Sequence, residues 1–261
     1  MKVLYAGDSP IGGPANYLLG ILKFLKADFR HLPPSKVLKP RLLRQRYDVI
    51  ILSDFSRSHV SPASQKLIAK QVSAGAGLLM IGGWGSFSGP FGGWQGSLIE
   101  KLLPVRCLGR DDRVNFPGGA HLVLKKKHPM FHSLPFKDPP VICGLNQIQP
   151  RRKSLVLLKA RRIVDRKEYP LLVVDADPQK RIVALAADLA PHWSGGLVDW
   201  GKKHVKIRVK GKIRIEVGEK YLQFVSSLLK WLARARSREI TRKRRRLGVP
   251  RADSSGHSQP R

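Results

Sequence analysis

The chain has 261 residues, 42% of them hydrophobic, and carries 49 Lys and Arg against 18 Asp and Glu, for a net charge of +31. This length and apolar content fit one large folded domain or two small ones, and they exclude a wholly disordered chain. No apolar run approaches the ~20 residues of a membrane helix, and the two cysteines, Cys107 and Cys143, form neither a disulfide framework nor a metal-ligand spacing.

The opening "MKVLYAGDSP" holds one lysine and a short apolar stretch, so it reads as a first strand over residues 2–8 and not as a secretory signal. A cytoplasmic location follows. "ANYLLGILKFLK" places Leu18, Leu19, Leu22 and Leu25 at helical spacing. "YDVIILSD" is a buried strand ending in Asp54. In "SPASQKLIAKQVSAG", Ser61 is the expected N-cap, Pro62 the first helical residue and Gly75 the stop. "GLLMIGG" is another buried strand, and "WQGSLIEKLLP" a short helix ended by Pro104. Continuous apolar strands alternating with helices imply a parallel sheet covered on both faces.

The middle of the chain changes character. "RVNF", "AHLVLKK", "VICGLNQIQ" and "SLVLLKARR" are short strand-like pieces parted by Pro and Gly, which indicates an antiparallel extension. "YPLLVVDAD" and "RIVALAAD" form a hairpin across "PQK". "HVKIRVKGKIRIEV" alternates strictly: Val205, Ile207 and Val209 on one side, Lys206, Arg208 and Lys210 on the other. A turn at Lys210-Gly211 returns the chain through Lys212 and Arg214, with Ile213, Ile215 and Val217 on the apolar side. The expected terminal helix is "EKYLQFVSSLLKWLARA". A basic tail over 234–261 follows, with Arg242, Lys243, Arg244, Arg245 and Arg246 clustered and its end disordered.

"YDVIILSDFSRSHVSP", "AGAGLLMIGGWGSFSG", "LLPV", "DDRV", "GLN", "PLLVV" and "ADLAPHW" occur in that order. Together, over roughly residues 1–200, they resemble the putative glutamine amidotransferase family, a branch of the class I amidotransferase-like superfamily. The resemblance implies an α/β, flavodoxin-like, mostly parallel sheet with helices on both faces. Antiparallel additions and the basic hairpin (204–217) complete a domain over 1–233. True class I amidotransferases attack glutamine with a cysteine in a G-x-C-x-G corner, aided by a histidine and a glutamate. The resemblance puts Trp84 at that cysteine's place, within Gly82-Gly83-Trp84-Gly85-Ser86. His192 stands without a glutamate two residues on. The expected consequence is a degenerate corner without glutaminase activity.

Ser86 and Ser88 do not restore a nucleophile, because "GSFSG" centres Phe87 where a hydrolase elbow needs serine. Cys107 and Cys143 read as small buried apolar residues. "DDRV" reads as an ion pair of Asp111 or Asp112 with Arg113 or Arg110. What remains is a constellation after strands, where open α/β sheets bind ligands. Asp8 and Asp54 each end a strand, Gly82, Gly83 and Trp84 end another, and Asp188 precedes His192 and Trp193. Asp188 and His192 suit orienter and base. Asp54, the two glycines, Trp84 and Trp193 suit a small polar ligand; packing of the two indoles on each other would instead plug the cleft.

No cofactor or metal site is expected. The alternative reading is a non-catalytic binding or scaffold protein whose basic hairpin and tail contact nucleic acid or another polyanion. These two segments lie where family members are expected to run straight into the last helix. A basic face without interleaved aromatics does not indicate base stacking, and a solvated surface explains the same charges without any partner.

Overall fold

Residues 1–9 and 13–246 are described by a computed structural model. The apolar runs become strands β1 (Lys2–Gly7), β2 (Asp28–Leu32), β3 (Val49–Ser53) and β4 (Gly77–Ile81). The middle of the chain supplies β5 (Val105–Arg106), β6 (Arg113–Leu124), β7 (Val141–Asn146), β8 (Gln149–Pro150), β9 (Ser154–Arg162), β10 (Glu168–Asp175) and β11 (Ile182–Leu185). Nine of these share one sheet in the order β2-β1-β3-β4-β11-β10-β9-β6-β7. The first five are mutually parallel, and each later pairing is antiparallel. The parallel set is ordered 2-1-3-4-5 by position in the chain, which is the flavodoxin-like arrangement.

β3 and β4 are buried at every residue, so both faces of the sheet are covered. The covering helices are α1 (Ala15–Phe24), α2 (Pro62–Ser73), α3 (Leu98–Leu102), α4 (Pro191–Val198) and α5 (Glu219–Arg246). Leu18, Leu19 and Leu22 of α1 are buried, as their spacing requires. Ser61 caps α2 by accepting from the Ser64 N–H at 3.2 Å, with Pro62 first in the helix and Gly75 at φ +90 just beyond it. β10 and β11 form the expected hairpin.

Other expectations change. "RVNF" and "AHLVLKK" are one strand, β6, whose pairing to β7 slips between Asn115 and Ala120 as the chain passes Pro117, Gly118 and Gly119. β2 carried too weak an apolar pattern to be read. The basic cluster Arg242, Lys243, Arg244, Arg245 and Arg246 lies inside α5 and not beyond it, so a boundary at 233 cuts a helix. Lys and Arg are good helix formers, and no Gly or Pro interrupts the run from Glu219 to Arg246. The expected disorder of the last residues falls outside the described residues from 247 on.

The strands β12 (His204–Lys210) and β13 (Ile213–Gly218) pair as a separate hairpin. Its turn residues are Gly211, at φ +54, and Lys212, one position later than expected. Ile207, Val209, Ile215 and Val217 are buried, while Lys206, Arg208, Lys210, Lys212 and Arg214 are exposed. The hairpin sits on α1, where a Cβ at Gly20 would lie 2.5 Å from Ile215 Cδ1. Gly20→Leu is therefore expected to cost about 1–3 kcal/mol by overpacking. Thermal melts check this, and Ile215→Ala in the same chain should recover part of the loss.

Candidate functional site

Parallel strands β1, β3, β4 and β11 are sheet neighbours, so their carboxyl ends share one edge. Asp8, Asp54, Gly82 to Trp84 and Asp188 are thereby brought to one rim. Asp8 and Asp54 adopt φ +48 and +49, a left-handed turn out of the strand that aspartate tolerates.

The corner after β4 is locked from below. The Asp54 carboxylate accepts from the Gly85 N–H, and the Ser86 hydroxyl accepts from the Asp54 N–H at 3.0 Å. Gly83 N–H donates to Asn146 Oδ1 at 2.8 Å, and Asn146 Nδ2 donates to the Gly83 carbonyl and to Asp112 Oδ1 at 3.2 and 2.6 Å. The other Asp112 oxygen accepts from the Ser88 N–H at 2.7 Å. Burial pushes the Asp112 carboxyl up to about 6, against the bonds from Asn146 and Ser88. Gly82 is needed by the chain itself, since a Cβ there would lie 2.0 Å from the Ala186 carbonyl oxygen.

Two consequences follow. The N–H of Gly85, the residue after Trp84 and the corner's own donor for a developing oxyanion, is already bonded to Asp54, and that of Gly83 to Asn146. The Ser86 and Ser88 hydroxyls donate to the carbonyls of Ile81 and Leu108. The "DDRV" carboxylates separate: Asp111 pairs with Arg113 at 2.7 Å, while Asp112 turns inward to Asn146.

Trp84 stands between two clefts. One, of about 460 Å³, holds Asp54, Ser56, Ser58 and His59. The other, of about 300 Å³, is lined by Trp84, Arg113, Asn115, Cys143, His192 and Trp193. Asp54 and His192 thus share the rim but line different clefts. The Trp84 indole is 44% exposed, stacks on Phe91 with ring centres 6.4 Å apart and lies under the Arg113 guanidinium at 4.3 Å. Trp193 is buried over Gly144, where a Cβ would touch its ring at 2.5 Å, and its Nε1–H donates to Asn115 Oδ1 at 3.0 Å. The indoles face the same cleft without stacking on each other, so the cleft stays open.

Asp188 anchors the start of α4. One carboxylate oxygen accepts from the Trp193 N–H at 3.2 Å and lies 3.8 Å from His192 Nδ1, while the other is buried without a hydrogen bond. Burial, with a smaller push from the charge of Asp8, raises its carboxyl to about 7. Asp8 is likewise raised to about 7 by burial, against hydroxyl bonds from Tyr5 and Ser53. His192 remains 60% exposed at the mouth of the smaller cleft.

The cysteines part company. Cys107 is buried and its thiol is pushed far up by burial. Cys143 is exposed and opens into the cleft, contrary to the expectation of a buried residue. A bulged outer pairing and the glycine after it leave that side chain uncovered. Sequence reasoning also missed Asn146 and Asn115; the "GLN" triplet was the one local trace of the first. Among the described residues no group of His, Cys, Asp and Glu is arranged to hold a metal. No helix among them is long and apolar enough to cross a membrane.

A family model described as putative glutamine amidotransferase matches residues 15–209. The chain belongs to this family. The match ends at residue 209, within β12. The structure of this family member is similar to the cytoplasmic protein STM1381 of Salmonella typhimurium LT2, with TM-score 0.67 and 25% identity over 89% of this chain and 99% of that one. It is similar to the cytoplasmic protein STM3548 of Salmonella typhimurium, with TM-score 0.68 and 24% identity over 88% and 98%. A ThuA-like protein of Bacteroides uniformis shares the fold at TM-score 0.53 and 15% identity, over 88% and 90%. No curated protein sequence matches significantly.

Proposed function

We propose that this amidotransferase-family protein binds a small polar metabolite in the smaller rim cleft and does not hydrolyse glutamine. The observation that carries this is the committed corner. Trp84 occupies it, the Gly83 and Gly85 N–H groups are bonded internally, and an open polar cleft lies beside it. Trp84 offers the ligand a flat apolar face, Arg113 and Asn115 offer donors, and His192 beside Asp188 serves as the acid–base group. A cytoplasmic setting belongs to the same reading, in line with the descriptions of the two Salmonella proteins.

Purified protein is expected to release no ammonia from glutamine above a boiled control. A glutaminase rate that disappears in Cys107→Ser or Cys143→Ser would overturn this. Titration with sugars, nucleosides and amino acids, read by indole fluorescence, should find a ligand class. Trp84→Ala should weaken its binding by about tenfold, the value of one lost stacking contact.

A second reading rests on the hairpin, whose five cations are held outward by a buried apolar face. Glu216 shares that outer face and pairs with Lys206 at 3.7 Å, so the field comes mainly from the other four. Arg242, Lys243, Arg244, Arg245 and Arg246 would extend it. Sequence-blind binding to mixed RNA and DNA is then expected, with a steep fall as salt rises and a smaller slope in a chain ending after Ala233. Binding indifferent to salt, or none at low salt, would leave the charge as surface composition.

A further inference from the structure

The smaller cleft contains more than a binding surface requires. It has an exposed thiol on β7 and an exposed imidazole at the start of α4, on walls of one cavity the size of a small molecule. The imidazole lines this cleft and has a carboxylate 3.8 Å from its Nδ1. Asn115 has its carbonyl oxygen fixed by the Trp193 Nε1–H, so its Nδ2 hydrogens are left on the other side, with no partner among the described residues. Arg113 is tied to Asp111 through Nε and Nη2, which fixes the guanidinium at the cleft wall over Trp84 with its charge offset by that carboxylate. Nucleophile, base, orienting acid and two donors are the parts that acyl transfer needs.

We propose that Cys143 is the nucleophile of an acyl-transfer site in this cleft, with His192 as base, Asn115 and Arg113 as oxyanion donors, and a small ester or thioester as substrate. The inference rests on the reading of this cleft as the ligand site and assigns its chemistry. His192 takes the thiol proton, and the Cys143 sulfur bonds to the acyl carbon as the carbonyl electron pair moves onto oxygen. Asn115 Nδ2–H and Arg113 stabilise that oxyanion. The intermediate collapses, the bond to the alkoxide or thiolate breaks, and the leaving group takes the proton from His192. Water then gives a proton to His192 and attacks the acyl-cysteine, which releases the carboxylic acid and returns the proton to Cys143. Asp188 is a positioning residue for His192. The exposure of His192 favours leaving groups that need little protonation over the nitrogen of a carboxamide, which agrees with the absence of glutaminase expected above.

The test uses the full chain and p-nitrophenyl acetate. An acetyl adduct located by mass spectrometry is expected on Cys143 and not on Cys107, with a burst of p-nitrophenol that Cys143→Ser removes. His192→Ala should slow acylation about 100-fold, the usual scale of a lost general base, and added imidazole should restore part of it. A folding defect would not respond to imidazole. Iodoacetamide provides the control for access. If it labels Cys143 while the acetate ester does not, or if His192→Ala acylates at the wild-type rate, the nucleophile assignment falls. In that case a ligand still quenching Trp84 fluorescence would leave the binding reading standing. Acylation as expected, with no ligand response from Trp84, would overturn only the binding reading.

Discussion

Asn146→Ala is expected to remove about 3–5 kcal/mol of stability, the range for breaking a buried polar network that includes a carboxyl. Asn146 is fully buried and joins three segments far apart in the chain: the corner after β4, the Asp112 carboxyl and the end of β7. Truncation leaves the Gly83 N–H and one Asp112 oxygen without their partner. For a domain of this size the loss corresponds to a melting shift of roughly 10 °C. Urea titration of the wild type and variant would measure it. A loss below about 1 kcal/mol, the worth of one ordinary hydrogen bond, would show that the corner is held by Asp54 and Ser86 alone. Asp112→Asn should cost much less, because its amide can still meet Ser88 or Asn146 and carries no charge into the interior.

Stability is expected to fall as pH rises from about 4 to 7, because burial raises the carboxyls of Asp8 and Asp188 to about 7 and that of Asp112 to about 6 in the folded protein against ~3.9 when unfolded, while His31 and His128, lowered by burial, oppose part of the trend. Between those values the folded chain binds more protons than the unfolded chain, so each pH unit upward costs stability. The contribution is complete below ~4 and is lost through pH 7, with a slope of at most ~1.4 kcal/mol per unit per group. The charge of Asp8 adds only a smaller push to Asp188, and burial is the leading cause for both. Glu168 works in the opposite sense, held down to about 2 by Arg161 and Lys159. Its stabilisation is lost only as pH falls below ~4, so it leaves the window above untouched. Chemical denaturation at pH 5 and pH 8 should show the decline. Asp8→Asn and Asp188→Asn should flatten it and melt higher than wild type at pH 8. Stability that climbs from pH 5 to 8, or asparagine variants with an unchanged slope, would contradict burial as the cause.

Much of the architecture was written in local pattern. The stretches "VLYAG", "VIIL" and "GLLMI" are uninterrupted by any charged side chain, which suits strands covered on both faces, and they lie in β1, β3 and β4. Ser61-Pro62 and Gly75 bounded α2 because caps act within one helical turn. Strict alternation marked the basic hairpin, since a pleated strand sends successive side chains to opposite faces. The absence of cysteine from "GGWGS" was equally plain, and so was the placing of Asp8, Asp54 and Asp188 after strands.

Tertiary structure decided what those residues do. Asp54 and Asp188 became anchors, for the Gly85 and Trp193 N–H groups. The lock through Asn146 reaches Gly83 across 63 residues and Asp112 across 34, and the Trp193–Asn115 bond spans 78. No periodicity or cap signals contacts at such separations; they exist only once the fold brings the residues after β4 and at the ends of β6, β7 and α4 to one place. The same holds for Cys143. Its sequence neighbourhood is that of a buried strand, yet β7 is the last strand in the sheet order, and its outer pairing slips at the bulge. Exposure is a property of what packs opposite a residue, and for Cys143 that is an open cleft shared with His192.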